Sequence, residues 1–126
     1  MSTLTDLAEK FVINFLNENL DTSFVYHNLI HTQRVVEKAS ELAELSGIDE
    51  AQKNLLKIAT WFHDTGYAKG IKKHEDESVI IATAFLKEHK VADDDIKSIS
   101  DLILATKMDY TNPKNQLEKS IRDADC

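Results

Sequence analysis

Apolar residues recur at α-helical spacing in separate stretches along the whole chain, and this pattern limits the possible folds more than any other feature. The chain contains only three glycines and one proline, so few positions would interrupt such helices. A length of 126 residues is enough for a single hydrophobic core. We therefore predict an all-α fold, a compact bundle of about six helices, in one domain over residues 1–126.

The first two helices are predicted from start and stop signals around their apolar stripes. Thr3 and Asp6 have the spacing of a capping box, and the helix that they begin should end near Leu20. The segment DTSFVYHN combines turn-forming and aromatic residues, and we interpret it as a connector. The second helix is then expected to continue from about His31 to a C-terminal cap at Gly47.

Four more helices are predicted in the second part of the chain. Asp49 should cap a third helix that contains the apolar run LLKIATWF and ends near Gly66. The segment KGIKKHEDES is interpreted as a charged loop, after which a fourth helix should begin near Val79. Acidic residues from Asp93 onwards favour the start of a fifth helix, and a last helix should contain Leu117.

The charge balance disfavours a nucleic acid or an anionic membrane as the partner. Fifteen Lys and Arg residues stand against twenty-two Asp and Glu residues, which gives a net charge of -7 that repels a phosphate backbone. A local basic cluster could still bind one small phosphate. Asp6 and Glu9 interrupt the first apolar stretch, and Cys126 is the only cysteine. These features predict neither a signal peptide, a membrane span nor an internal disulfide, and they favour a cytoplasmic protein.

Polar side chains interrupt three of the apolar stripes in a way that suggests a metal site. His63 and Asp64 end the apolar third helix, whereas His31 and Asp125 continue the stripes of the second and last helices. Burying an unpaired carboxylate costs several kcal/mol, so such groups need a compensating partner. A divalent metal accepts this set of nitrogen and oxygen ligands. The alternative is a metal-free bundle in which the inward polar groups satisfy one another.

Three motifs in order along the chain resemble the H…HD…D pattern of the HD-domain superfamily of metal-dependent phosphohydrolases. They are His31-Thr32-x-x-Val35, Phe62-His63-Asp64 and Asp123-Ala124-Asp125. The resemblance implies that His31, His63, Asp64 and Asp125 are metal ligands, with Asp64 as the bridge between two ions where two are bound. It also implies hydrolysis of a phosphodiester or phosphomonoester of a nucleotide-like small molecule by metal-activated water. The ligand types suit Zn, Mn, Fe, Co, Ni or Mg, as one or two ions.

A further motif, Tyr26-His27-Asn28-x-x-His31, is similar to the signature of the cyclic-nucleotide phosphodiesterases. That likeness implies that His27 is the general acid that protonates the leaving oxygen, beside the catalytic Asp64. The alternative role for His27 is that of a loop histidine that caps the second helix.

The loop after the HD pair offers further candidates. His74 is a possible ligand of a second metal or a phosphate contact, and Lys72 and Lys73, with Lys69, could attract a phosphorylated substrate. The alternative is an ordinary solvated surface. Family members normally continue beyond the last aspartate, so we expect a chain truncated after Asp125. A non-catalytic HD-fold module with a structural or sensing metal remains the alternative function, and association into a homo-oligomer stays open.

Overall fold

The structure is a computed structural model, and it describes residues 3–69, 74–107 and 113–125. Within these ranges the chain forms six α-helices, one short 3₁₀ helix and no strand, which confirms the predicted all-α bundle. None of the described helices is long and apolar enough to cross a membrane. The elements are α1 (Leu4–Asn19), α2 (Thr22–Leu45), α3 (Glu50–Phe62), the 3₁₀ helix (Thr65–Lys69), α4 (His74–Glu88), α5 (Asp93–Leu104) and α6 (Gln116–Asp125).

Helix α3 lies at the centre of the bundle. It contacts each of the other five α-helices of the described chain. Its second half is buried on almost every side, including Leu56, Ile58, Trp61 and Phe62. A helical segment that is apolar on most sides needs this central position, since any exposed side would leave apolar surface in water. The residues that directly follow α3 therefore begin in the interior of the protein.

Three phenylalanine rings pack together below the end of α3. The ring centroids of Phe11 and Phe62 are 5.7 Å apart, those of Phe11 and Phe85 are 5.1 Å apart, and those of Phe62 and Phe85 are 5.3 Å apart. These rings come from α1, α3 and α4, so the cluster joins three helices. Phe62 immediately precedes His63 in the chain, so this apolar cluster lies beside the first residue of the HD pair.

Two of the predicted helix starts are confirmed by their hydrogen bonds. The backbone N–H of Asp6 donates to Thr3 Oγ1 over 3.1 Å, and the N–H of Thr3 donates to Asp6 Oδ2 over 3.3 Å. At α3, Asp49 Oδ1 accepts a hydrogen bond of 2.8 Å from the N–H of Gln52. Both caps satisfy backbone donors that the helix itself leaves unpaired.

The structure corrects two predicted connectors, DTSFVYHN and the HEDES part of KGIKKHEDES, whereas residues 70–73 lie outside the described residues. Helix α2 begins at Thr22, so DTSFVYHN is almost entirely helical, and the burial of Val25 gives this segment a core contact. Helix α4 begins at His74, so HEDES is helical as well, with Ser78 fully buried. Tertiary packing overrides the weak local preferences of both segments. His27 therefore lies within α2 and not in a loop.

Candidate metal centre

The structure brings together the four residues predicted as metal ligands. His31 lies on α2, His63 and Asp64 directly follow α3, and Asp125 is the last residue of α6. One donor atom from each of these side chains lies within 4.8 Å of the donor atoms of the other three. We call these four residues the primary cluster. Two imidazoles and two carboxylates in this space form a donor set that could hold a divalent metal ion.

In the primary cluster, both imidazoles face the same two carboxylate oxygens. Nε2 of His31 lies 3.4 Å from Asp64 Oδ2 and 3.3 Å from Asp125 Oδ1. Nε2 of His63 lies 3.2 Å from Asp64 Oδ2 and 3.0 Å from Asp125 Oδ1. Four donor atoms from three separate helical segments thus surround one small space.

The hydrogen bonding of His63 shows which of its nitrogens is available to a metal. Its Nδ1 lies 2.6 Å from the backbone oxygen of Thr60, and a carbonyl oxygen can only accept a hydrogen bond. Nδ1 must therefore carry a proton, which leaves Nε2 with a lone pair in the neutral ring. The His63 side chain is fully buried, and this lone pair would face two carboxylate oxygens. A proton or a metal cation is therefore needed at Nε2.

The pKa values of the primary cluster reflect this charge arrangement. Burial alone would lower the pKa of His63, but Asp64 and Asp125 outweigh it and raise this pKa well above its ordinary value. Burial would raise the pKa of Asp64, but the imidazoles of His63, His74 and His31 hold it below its usual range. Burial would also raise the pKa of Asp125. Hydrogen bonds from His31 and His63 outweigh that effect and lower this pKa to about 2. Both carboxylates are thus ionised at neutral pH.

His31 forms the exposed side of the primary cluster. The sequence predicted that its imidazole points into the core, yet 46% of the side chain is exposed. The prediction is wrong in this respect. The apolar stripe of α2 is buried at Val35 and Ala39, but the same side of the helix is exposed to solvent at His31. Its Nε2 nevertheless faces the two carboxylates. The primary cluster is therefore closest to solvent on the side of His31.

A second group of side chains lies on the other side of Asp64. Asp64 Oδ1 is 3.4 Å from Nε2 of His74, so the two oxygens of this carboxylate face different histidines. The same Nε2 is 3.1 Å from Oε2 of Glu75, and the ring of Tyr67 stacks on the His74 ring with a centroid distance of 4.0 Å. His74 thus lies beside the primary cluster, and its role as a ligand of a second metal or a phosphate contact stays a prediction. Lys72, Lys73 and the side chain of Lys69 lie outside the described residues.

Two residues that the sequence analysis missed hold α4 against the HD pair. The hydroxyl of Ser78 donates to the backbone oxygen of His63 over 2.9 Å and accepts from the N–H of Gly66 over 2.8 Å. A Cβ atom at Gly66 would lie only 1.8 Å from the backbone oxygen of His74, so no larger residue fits. The signal in the sequence is that Ser78 lies four residues before the buried Ala82, on the apolar face of α4.

Arg122 was also missed, and it connects α6 to the end of α5. Its guanidinium donates to the backbone oxygens of Ala105 and Lys107 over 2.7 and 2.9 Å. Asp125 follows three residues later on the same helix. This connection therefore fixes the position from which Asp125 reaches the primary cluster.

The proposed general acid lies outside the primary cluster. His27 is exposed on α2, four residues before His31 and thus on the same side of that helix. Its ring lies edge-on to Tyr26, with a centroid distance of 6.0 Å. In the described part of the chain, no hydrogen bond joins His27 to the primary cluster.

A comparison with protein families decides which family this fold and site belong to. The sequence profile of the HD domain matches residues 28–126, which is well over half of the chain. The chain belongs to the HD domain family. The matched region contains the primary cluster and His74 and begins just after His27, so it does not test the motif around His27. HD domains are typically metal-dependent hydrolases. Searches of curated proteins and of solved structures gave no match.

Proposed function

We propose that this HD domain is a cytoplasmic metal-dependent phosphohydrolase that cleaves a phosphodiester or phosphomonoester bond of a nucleotide-like small molecule. One observation carries the proposal. His63 is completely buried, its Nδ1 is committed to Thr60, and its Nε2 faces two carboxylates that are ionised at neutral pH. A metal cation satisfies this arrangement, and membership of the HD family favours the same interpretation.

The residues of the primary cluster have distinct roles in this proposal. His31, His63, Asp64 and Asp125 would hold the ion, and Asp64 Oδ1, which faces His74, would be available to a second ion. A divalent ion supplies Lewis acidity, which activates water at neutral pH and neutralises charge on the phosphoryl oxygens. The exposed side of His31 would then admit the substrate.

The leaving alkoxide of a phosphodiester needs a proton, and we propose His27 as its donor. His27 lies one helical turn from His31 and is exposed, so it can face a substrate bound beside the cluster. General acid catalysis typically contributes about 10²–10⁴-fold to a rate.

The test of the central proposal is the Asp64→Asn variant. An amide lacks the charge that offsets the metal, and its oxygen is a poor bridging ligand, so we expect weaker metal binding. Turnover of an aryl phosphodiester should fall by about 10²-fold or more, which corresponds to several kcal/mol. The control is His89→Ala, because His89 is exposed just after α4 and is not part of the primary cluster. Equal behaviour of the two variants would contradict the proposed site.

The general-acid proposal is tested by two substrates on one variant. His27→Ala should reduce hydrolysis of a nucleoside phosphodiester by about 10²-fold or more, because the ribose alkoxide is a poor leaving group. Hydrolysis of a nitrophenyl phosphodiester should change little, and the metal content should stay the same. Similar losses on both substrates would indicate a positioning role instead, and a loss of metal would make His27 a ligand.

A second candidate function is a non-catalytic HD module with a structural or sensing metal. A shallow, open surface depression is lined by Lys114, Lys119 and Arg122, among other residues, and it includes no member of the primary cluster. In this alternative, its cationic side chains would bind an anionic ligand away from the metal. Bound metal without hydrolysis of either aryl phosphodiesters or phosphomonoesters would support the module and contradict the hydrolase.

A further inference from the structure

We propose that Glu75 is a protein ligand of a second cation site, together with Nε2 of His74 and Oδ1 of Asp64. The inference rests on the proposed metal-dependent function and extends it to a residue that the sequence analysis did not select. The site would share the Asp64 carboxylate with the primary cluster, so the two cations would be neighbours.

The geometry of the three side chains supports this site. Nε2 of His74 faces two carboxylate oxygens, Asp64 Oδ1 at 3.4 Å and Glu75 Oε2 at 3.1 Å. Nε2 of His63 likewise faces two carboxylate oxygens in the primary cluster. The side chain of Glu75 is only 12% exposed, and that of His74 only 15%. A carboxylate with so little exposure to water needs a positive charge beside it.

The ring of Tyr67 holds the imidazole of His74 in place. The Tyr67 and His74 rings are stacked at a centroid distance of 4.0 Å with an interplanar angle of 15°. This contact restricts the rotation of the imidazole, so Nε2 stays directed at the two carboxylates.

The charge of the whole site gives a second, independent reason for two cations. Asp64, Glu75 and Asp125 provide three carboxylates, and the three histidines carry no charge when they act as ligands. One divalent ion leaves these carboxylates with a net charge of minus one, which a proton on His74 would balance. Two divalent ions with neutral histidines would give plus one, which attracts a phosphate ester. A second cation would therefore favour binding of the proposed substrate.

The competing explanation is that Glu75 only hydrogen-bonds to His74 and orients its ring. Glu75→Gln separates the two roles, because glutamine keeps a hydrogen-bond acceptor of the same length but loses the charge. Removing a residue that merely orients a metal ligand weakens metal binding by about 10–100-fold. Loss of a charged ligand should exceed that range.

The experiment is a titration of the metal-free chain with Mn²⁺, measured by calorimetry and by electron paramagnetic resonance. We expect the wild type to bind two ions per chain and to show the coupled spectrum of a carboxylate-bridged pair. Glu75→Gln should bind the first ion normally and the second more than about 100-fold more weakly, with the spectrum of isolated Mn²⁺. Glu77→Gln is the matched control, since it makes the same change two residues away, and it should bind two ions. Circular dichroism establishes that each variant is folded, and Glu75→Asp provides a second variant with a shortened ligand.

The possible outcomes separate this inference from the proposed function. A second ion that binds Glu75→Gln as tightly as the wild type would overturn the role of Glu75. A wild type that binds one ion only would overturn the second site but leave the metal-dependent function intact. A wild type that binds none would overturn both.

Discussion

At the scale of single residues, His63 determines what the site can do. Its protonated Nδ1 contacts a carbonyl, and its buried Nε2 faces two ionised carboxylates. The proton and a metal ion therefore compete for the same nitrogen. In the metal-free protein the pKa of His63 lies well above its ordinary value of 6.5, so Nε2 keeps its proton at neutral pH.

This competition predicts opposite pH dependences for the metal-free and metal-loaded proteins. The raised pKa of His63 stabilises the metal-free fold below about pH 6.5, and this stability is lost as the pH rises through the pKa of the folded state. The lowered pKa of Asp125 contributes stability above pH 3.8 that is lost as the pH falls towards 2. The melting temperature of chelated protein should thus fall above neutral pH.

Metal binding should change with pH in the opposite direction to the stability of the metal-free protein. Its apparent metal affinity should rise by about tenfold per pH unit below the pKa of His63, because one proton must leave. Calorimetry and thermal melts between pH 5 and pH 9, with and without metal, measure both trends. A metal affinity that is independent of pH would contradict the assignment of Nε2 as a ligand atom.

The sequence predicted the residues of the primary cluster better than their surroundings. His31, His63, Asp64 and Asp125 are out of place on apolar helix stripes, and this pattern marks them without any structure. Glu75 gave no such signal, because it lies in the acidic first turn of a helix that was read as a loop. The role of Gly66 depends on the close approach of another backbone, which only three-dimensional packing reveals.

At the scale of elements, the sequence analysis placed the start of α2 and the start of α4 too late in the chain. The segment before His31 begins with turn-forming residues, and its helix is stabilised by packing of Val25 and by continuity with the rest of α2. Helix α4 begins four residues before Ser78, whose two hydrogen bonds fix it to the end of α3. Such contacts between distant segments cannot be derived from local propensity.

The contact between α4 and the 3₁₀ helix leads to a prediction for Gly66→Ala. The added methyl group would meet the backbone oxygen of His74 at 1.8 Å, so α4 must move and His74 with it. We expect a loss of about 3 kcal/mol in the free energy of unfolding. Binding of metal near His74 should weaken as well. Urea denaturation and Mn²⁺ titration measure these effects.

Gly47→Ala is the matched control for that variant. Gly47 has a φ of +72° and no atom within 4 Å of an added Cβ, so the substitution costs only the strain of a left-handed residue, about 1–2 kcal/mol. It should leave metal binding unchanged. If Gly66→Ala also left metal binding unchanged, the close contact would have no role in positioning His74.

At the scale of the whole molecule, the bundle is a support for one polar centre. The buried helix α3 contacts every other α-helix of the described chain and ends at His63 and Asp64. Helical periodicity predicted the fold class, but it does not specify that α2 and α6 meet at the end of α3. The order of the HD motifs indicated that meeting point, and the structure shows it in the distances between four donor atoms.

Metal-dependent stability is the most direct test of the primary cluster. The melting temperature of the wild type should be measured after chelation and after addition of Mn²⁺ or Zn²⁺, together with the bound metal per chain. At a hundred times the dissociation constant, a bound ion adds about 2.7 kcal/mol, which predicts an increase of about 10 °C. Asp125→Asn should lose most of that increase, and His89→Ala should keep it. A wild-type protein without bound metal, whose melting temperature does not respond to chelator or to added metal, would contradict the proposed metal centre.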